Sequence, residues 1–138
     1  MIIDHICFSV NNINEAILFW KTVFGYDQMT EIIENTRQKV KVTFLCKDES
    51  LLIKLIEPVD SNKSEKSPNL KGGGFHHICF RCPDIESEID TLKKKGLILL
   101  VPPQPGEAFN NKDIAFLLAR NGLNIELIDT EEKSGIIG

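Results

Sequence analysis

The chain has 138 residues, of which 42% are hydrophobic and 26% charged, a balance typical of one globular domain. A formal net charge of −4 provides no basic field for the phosphates of nucleic acid. No apolar run approaches the roughly 20 residues that span a bilayer, and Met1 leads directly into strand-like sequence. We therefore expect a cytoplasmic protein whose partner is neither nucleic acid nor a membrane.

In chain order, the first half predicts one strand, one helix and three further strands. Residues 2–10 alternate in hydrophobicity and predict a strand. Apolar residues then recur at helical spacing from Ile13 to Phe24, with Asn12 as N-cap and Gly25 as the stop. The further strands are expected at about 28–34, 39–46 and 51–57. Residues 1–57 therefore form a predicted βαβββ module.

The second half repeats this order after a polar connector, residues 58–74, which ends in three glycines. A strand is predicted at 75–82, followed by a helix that begins after Asp84 and ends at Gly96. Three strands are expected at about 98–101, 112–119 and 123–129. The proline-rich residues 102–106 predict a loop, and residues 131–138 predict a frayed tail. Module two therefore covers residues 75–130.

A constant offset of 72 residues relates the two halves. The tetrapeptide His-Ile-Cys-Phe occurs at 5–8 and again at 77–80. The same offset places Phe44-Leu45 on Phe116-Leu117 and residues 53–56 on residues 125–128. One offset shared by three separate blocks indicates a tandem duplication. We therefore predict an α+β fold, a single domain over 1–138 made of two tandem βαβββ modules.

Strand parity separates the residues that pack under the helices from those on the other face. Ile6 and Phe8 share one face of the first strand, whereas His5 and Cys7 share the other. In the second module the matching face carries His77, Cys79 and Arg81, and parity directs His76 away from His77.

The last strand of each module carries one charged residue within an otherwise apolar stretch. Lys54 and Glu126 are equivalent under the offset, and a charge at such a position is costly unless it is paired or bound. An approximate two-fold axis would gather them with His5 and His77. Two imidazoles and a carboxylate are a ligand set that suits a divalent transition metal.

The residues Asp4-His5-Ile6, Gly74 to Ile78 and Ile125-Glu126-Leu127 resemble the vicinal oxygen chelate superfamily, which includes glyoxalases, bleomycin resistance proteins and dioxygenases. The resemblance covers essentially the whole chain. It is greatest to methylmalonyl-CoA epimerases and more distant to glyoxalase I. It implies a cupped mixed sheet around one central cavity. It also implies a divalent metal that stabilises an enediolate after a proton is removed next to a carbonyl.

Carried over to this chain, the resemblance implies metal ligation by His5, His77 and Glu126, with Ni, Co, Zn, Mn or Fe as the ion. Lys54 departs from the pattern, because the family has Glu or Gln at that position and an ammonium has no lone pair to donate. For proton transfer we expect Glu126 and, on another strand, Lys41. The residues expected to line the substrate pocket are Lys54, Cys7, Cys79 and Arg81.

Three functions stay open for a protein that binds a small molecule and has the potential to form a homodimer. The first is a metal-dependent lyase or epimerase/isomerase that acts on a small acid, a thioester or a glutathione adduct. The second is a metal-free binding or resistance protein in which a Lys54–Glu126 ion pair replaces the metal and no cofactor is present. The third is an Fe(II) dioxygenase that uses the three ligands His5, His77 and Glu126.

Overall fold

The structure is a computed structural model that describes residues 1–59 and 73–138. Its strands are β1 Ile2–Ser9, β2 Asp27–Gln28, β3 Ile33–Asn35, β4 Val40–Cys46, β5 Leu52–Pro58, β6 Gly74–Arg81, β7 Ile98–Gly106, β8 Lys112–Leu118 and β9 Asn124–Ile128. Its helices are α1 Ile13–Phe24 and α2 Ile85–Lys94, with a 3₁₀ turn at Glu107–Phe109. Neither helix is long and apolar enough to cross a membrane. Most of the predicted connector lies outside the described residues.

Both helices begin at side-chain caps placed where the duplication requires them. The Asn12 side chain accepts a hydrogen bond from the Glu15 N–H at the start of α1, and Asp84 accepts one from Glu86 at the start of α2. Gly25, with φ of 76°, ends α1 in the left-handed conformation that glycine adopts without strain. The first residues of α1 and α2 are 72 positions apart, as are those of β4 and β8 and of β5 and β9.

The strands described form one mixed sheet with the order β2-β4-β5-β1-β6-β9-β8-β7, and β3 pairs with the outer part of β4. β1 and β6 are antiparallel at its centre, where Ile6 lies opposite its repeat equivalent Ile78. Each central strand has a parallel neighbour from its own module, β5 beside β1 and β9 beside β6. The predicted α+β duplication is confirmed, and its pseudo-two-fold axis passes between Ile6 and Ile78.

The two faces of the curled sheet have separate cores. On the outer face, α1 packs over Leu55 together with Ile6 and Phe8, as strand parity predicted, and α2 packs over a matching cluster. On the inner face, Phe44 and Phe109 are the largest buried apolar side chains. The inner face also carries nearly all the buried charge.

Three predictions about chain segments are wrong, and two of them concern strands. The proline-rich residues 102–106 belong to β7, which continues to Gly106 with register shifts on both sides of Val101. β7 is an edge strand, so a proline without an N–H interrupts no second ladder. The predicted strand at 28–34 is divided into β2 and β3.

The C-terminal residues are also packed, where a frayed tail was predicted. The Glu31 N–H donates to the Gly135 carbonyl at 2.8 Å, and Thr30 forms a β-bridge with Ile136. Lys133 is buried, with only 4% of its surface exposed. The tail therefore closes one side of the cup.

Candidate active site

Two β-bulges at the centre of the sheet turn adjacent residues to the same side. The β1–β6 register shifts at Asp4 on one strand and at His76 on the other, positions that are 72 residues apart. In a regular strand neighbours point to opposite faces, whereas a bulge re-aims one of them. Asp4 therefore contacts His5, and His76 Nδ1 lies 2.7 Å from His77 Nδ1. The parity prediction that directed His76 away from His77 is wrong for this reason.

Four strands each deliver one side chain to the base of the cup. Glu126 Oε1 on β9 lies 3.1 Å from His5 Nε2 on β1 and 3.0 Å from His77 Nε2 on β6. Lys54 Nζ, from β5, is 3.5 Å from the same oxygen. None of the four residues exposes more than 2% of its surface. The structure thus brings together the four repeat-equivalent positions; we call them the central cluster.

Asp4 extends the central cluster towards the C-terminal tail. Its carboxylate accepts a hydrogen bond from His5 Nδ1 at 2.7 Å and one from Arg81 at 2.9 Å, and Lys133 Nζ is 3.2 Å away. Arg81 thus binds Asp4, not the central cluster, and a quarter of its side chain is exposed. Lys133 was not predicted as a site residue, because its role depends on the tail folding back over the cup.

Aromatic rings surround the central cluster and exclude water from it. The His5 ring lies 5.2 Å from the Phe44 ring, and the His77 ring lies 5.3 Å from the Phe116 ring. Lys54 Nζ is 5.2 Å from the centroid of the Phe109 ring, within the range of a cation–π interaction. Charges interact strongly in such an apolar environment.

Lys54 and Glu126 form a buried ion pair. Burial has the largest effect and by itself lowers the pKa of Lys54, but the charge of Glu126, its hydrogen bond and the nearby cysteines together raise that pKa above its ordinary value. Burial likewise raises the pKa of Glu126, yet Lys54, His77 and the hydrogen bonds from both histidines hold it well below its ordinary value. Both groups are therefore charged at neutral pH.

His77 and the two cysteines of the cup, Cys7 and Cys79, are instead kept neutral by burial. Burial lowers the pKa of His77 to about 3, so this imidazole is neutral at pH 7. It raises the pKa of Cys7 to about 12 and that of Cys79 well above its usual range. Cys7 lies beside Lys54 and Cys79 beside Glu126 in the sheet register. These thiols are protonated and do not act as thiolate ligands or nucleophiles near neutral pH.

Lys41 is a predicted site residue that the structure leaves outside the cup. Its side chain is 46% exposed, and its Nζ is 3.9 Å from a Glu57 carboxylate oxygen. Its strand neighbours Val40 and Val42 face the inner core instead. Alternation along β4 therefore places Lys41 on the wrong face to reach the central cluster.

A cavity of about 360 Å³ opens beside the central cluster. Its walls are mostly apolar, with three polar residues among them. The lining residues are Gln38, Val40, Ile56, His76, Leu100, Val101, Phe116 and Asn124. An apolar hollow with few polar groups is typical of a small-molecule site. His76 connects this cavity to His77.

Lys54 decides whether the central cluster can hold a divalent metal ion. The candidate ligand atoms of His5, His77 and Glu126 lie within 4.8 Å of one another, as a three-ligand site requires. Glu126 Oε2 is buried and has no hydrogen-bond partner among the described residues. The fourth position, however, holds the Lys54 ammonium group, 3.5 Å from Glu126 Oε1, and an ammonium group cannot donate a lone pair and repels a dication. The residues present therefore do not fit a divalent ion.

The fold and the site together define a class of protein. Residues 4–116 match the family model of the Glyoxalase/Bleomycin resistance protein/Dioxygenase superfamily. The match covers well over half of the chain, so the chain belongs to this superfamily.

Among curated proteins, the chain is similar to a mitochondrial methylmalonyl-CoA epimerase from Dictyostelium discoideum, with 28% identity over 95% of this chain and 78% of the relative. It is also 33% identical to the uncharacterized protein YqjC of Bacillus subtilis, over 92% of this chain and 91% of that protein.

Solved structures share the fold. A methylmalonyl-CoA epimerase from Streptomyces coelicolor, in complex with 2-nitronate-propionyl-CoA, superposes with a TM-score of 0.78 at 22% identity and covers 94% of this chain and 97% of its own. A hypothetical protein from Bacillus halodurans gives 0.77 at 28% identity, covering 96% of each chain.

Proposed function

We propose that this chain is an epimerase- or isomerase-type enzyme that acts on a coenzyme A thioester. It would remove a proton from the carbon next to the thioester carbonyl and return a proton to the substrate. The observation that carries the proposal is the central cluster, a buried ammonium, carboxylate and two imidazoles beside an apolar cavity. The relative named methylmalonyl-CoA epimerase, 28% identical over nearly the whole chain, supports this substrate class.

The chemistry needs two functions from the protein. A hydrogen next to a thioester carbonyl is only weakly acidic, so negative charge that develops on the carbonyl oxygen must be stabilised. A base of suitable pKa must also lie within reach of the proton. The positive charge of Lys54, in a water-poor cup, supports the first function.

His76 is the residue we propose for the second. It lines the cavity, and its Nδ1 lies 2.7 Å from His77 Nδ1, while His77 Nε2 lies 3.0 Å from Glu126. A hydrogen-bonded chain of this type orients a base and fixes its tautomer. Burial lowers the pKa of His76, which keeps its imidazole neutral and able to accept a proton at pH 7. Glu126 then acts as the orienting group and Lys41 has no part.

A metal-free binding protein is the second candidate, favoured by the near-complete burial of the central cluster. Such a protein would hold its ligand in the cavity without proton transfer. The dioxygenase is disfavoured, because its Fe(II) would meet the same Lys54 ammonium.

Deuterium exchange separates the first two candidates. Methylmalonyl-CoA incubated with the protein in D₂O is expected to exchange its C2 proton, followed by NMR, faster than in protein-free buffer. His76→Gln should slow the exchange by about 10²-fold or more, the usual contribution of a general base, whereas exposed Lys112→Gln should not change it. Binding of the thioester without exchange would refute the enzyme and favour the binding protein.

A further inference from the structure

We infer that the Lys54 ammonium group takes the place of a divalent ion and supplies the positive charge beside Glu126. The wild-type protein therefore binds no divalent metal in the central cluster. In the proposed function, on which this point rests, Lys54 is the group that would face the developing negative charge.

The position of Lys54 follows from the duplication. It is the residue equivalent to Glu126 under the 72-residue offset, so the pseudo-two-fold axis sets the two side chains against each other. Their charged atoms are 3.5 Å apart. An acidic or amide side chain at position 54 would complete a symmetric set of four donors. The lysine instead provides an ammonium in the same place.

The ring nitrogens of both histidines lie at hydrogen-bond distance from side chains of the protein. His5 Nδ1 bonds to Asp4, and His77 Nδ1 bonds to His76. The remaining nitrogens, Nε2 in both rings, lie at hydrogen-bond distance from Glu126 Oε1. Every ring nitrogen of His5 and His77 therefore has a partner within the chain.

Each buried carboxylate of the site also faces an ammonium group without a metal ion. Lys54 faces Glu126 and Lys133 faces Asp4, and the exposed fractions of all four are 6% or less. Both ammonium groups lie near the Phe109 ring, with Nζ–centroid distances of 5.2 and 5.4 Å. A divalent ion would add further positive charge beside the Lys54 ammonium in an apolar, water-poor region, which is strongly unfavourable.

If the proposed function holds, the ammonium and not a metal ion stabilises the negative charge on the substrate oxygen. Enzyme activity would then be insensitive to chelators. This part of the inference rests on the proposed function, whereas the metal content of the protein can be measured without any substrate.

The test measures bound metal by mass spectrometry after incubation with Ni, Co, Zn or Mn salts and dialysis. The wild type is expected to retain none, and Lys54→Glu and Lys54→Gln are expected to retain about one ion per chain, as one mononuclear site requires. Adding His77→Ala to either variant should abolish the uptake. Lys112→Gln, which removes an exposed lysine, is the matched control and should take up none.

Two results would overturn the inference. One is a wild type that retains about one ion per chain, lost on His77→Ala. The other is folded Lys54→Gln protein, verified by circular dichroism, that takes up no metal. The wild-type measurement decides the matter even if a Lys54 variant fails to fold. Metal-free wild type that shows no proton exchange leaves the inference standing and refutes the proposed function instead.

Discussion

Replacing Lys54 by methionine should destabilise the protein strongly, because it leaves the Glu126 carboxylate buried without its counter-charge. The two charged atoms are 3.5 Å apart, which at an effective dielectric constant of about 20 corresponds to roughly 5 kcal/mol of Coulomb energy. Breaking a buried pair by removing one partner typically costs about 3–5 kcal/mol. We expect a loss in that range, a large part of the roughly 5–15 kcal/mol that stabilises a typical domain.

The loss should depend on pH in a defined direction. In the wild type the folded-state pKa of Glu126 lies well below its ordinary value, so its contribution to stability is complete above the unfolded-state pKa and disappears as pH falls through the folded one. In Lys54→Met the charge of Lys54 is gone, so burial is expected to raise the folded-state pKa of Glu126 above its unfolded-state value. The free energy of unfolding of this variant then falls as pH rises, because the buried carboxyl group must lose its proton. The deficit relative to wild type should be largest near pH 8 and shrink towards pH 5.

Urea unfolding at several pH values, followed by circular dichroism and by Trp20 fluorescence, measures both effects. The double variant Lys54→Met/Glu126→Gln should recover much of the lost free energy, because it leaves no buried charge unpaired. Lys112→Met, at an exposed pair, should change stability by less than about 0.5 kcal/mol. A deficit below about 1 kcal/mol at pH 8, or one that does not vary with pH, would refute the buried ion pair.

Two further predictions concern the walls of the cup. Lys133→Met should lower the free energy of unfolding in urea by about 2 kcal/mol, since it removes one charged partner of buried Asp4. Burial raises the pKa of Asp4, but the hydrogen bond from His5 and the charge of Lys133 together hold that pKa below its ordinary value. The cost of the substitution should therefore diminish as pH falls through the folded-state pKa of Asp4. A cost unchanged down to acidic pH would contradict it. Gly106→Ala should cost about 1–3 kcal/mol by the same method, because the added Cβ would lie 2.7 Å from Ile114 Cγ2 and 3.1 Å from Phe109 Cδ2; a neutral substitution would show that the inner core can yield there.

The duplication could be predicted from the sequence, because it depends on patterns among residues that are close together in each half of the chain. Alternation along β1 and β6, helical spacing after Asn12 and Asp84, and one constant offset were sufficient to predict two equivalent modules. Equivalent residues that lie close to a pseudo-two-fold axis meet across it, which is why the amino-acid sequence was sufficient to pair Lys54 with Glu126.

Other features depended on neighbours that are distant in the chain. Strand alternation tells which residues share a face but not which face becomes the interior, so Lys41 could be assigned to the cup until the packing of β4 placed Val40 and Val42 there. The prolines of β7 are tolerated only because that strand is an edge, a fact of sheet order.

The two modules and the four residues of the central cluster thus follow from the sequence, whereas the surroundings of the cluster depend on tertiary contacts. The two bulges, which bring Asp4 to His5 and His76 to His77, exist because β1 and β6 pair out of perfect register. Lys133 enters the site because the tail packs against the closed cup. Both effects arise from contacts between segments that are remote in sequence, where local propensity carries no information.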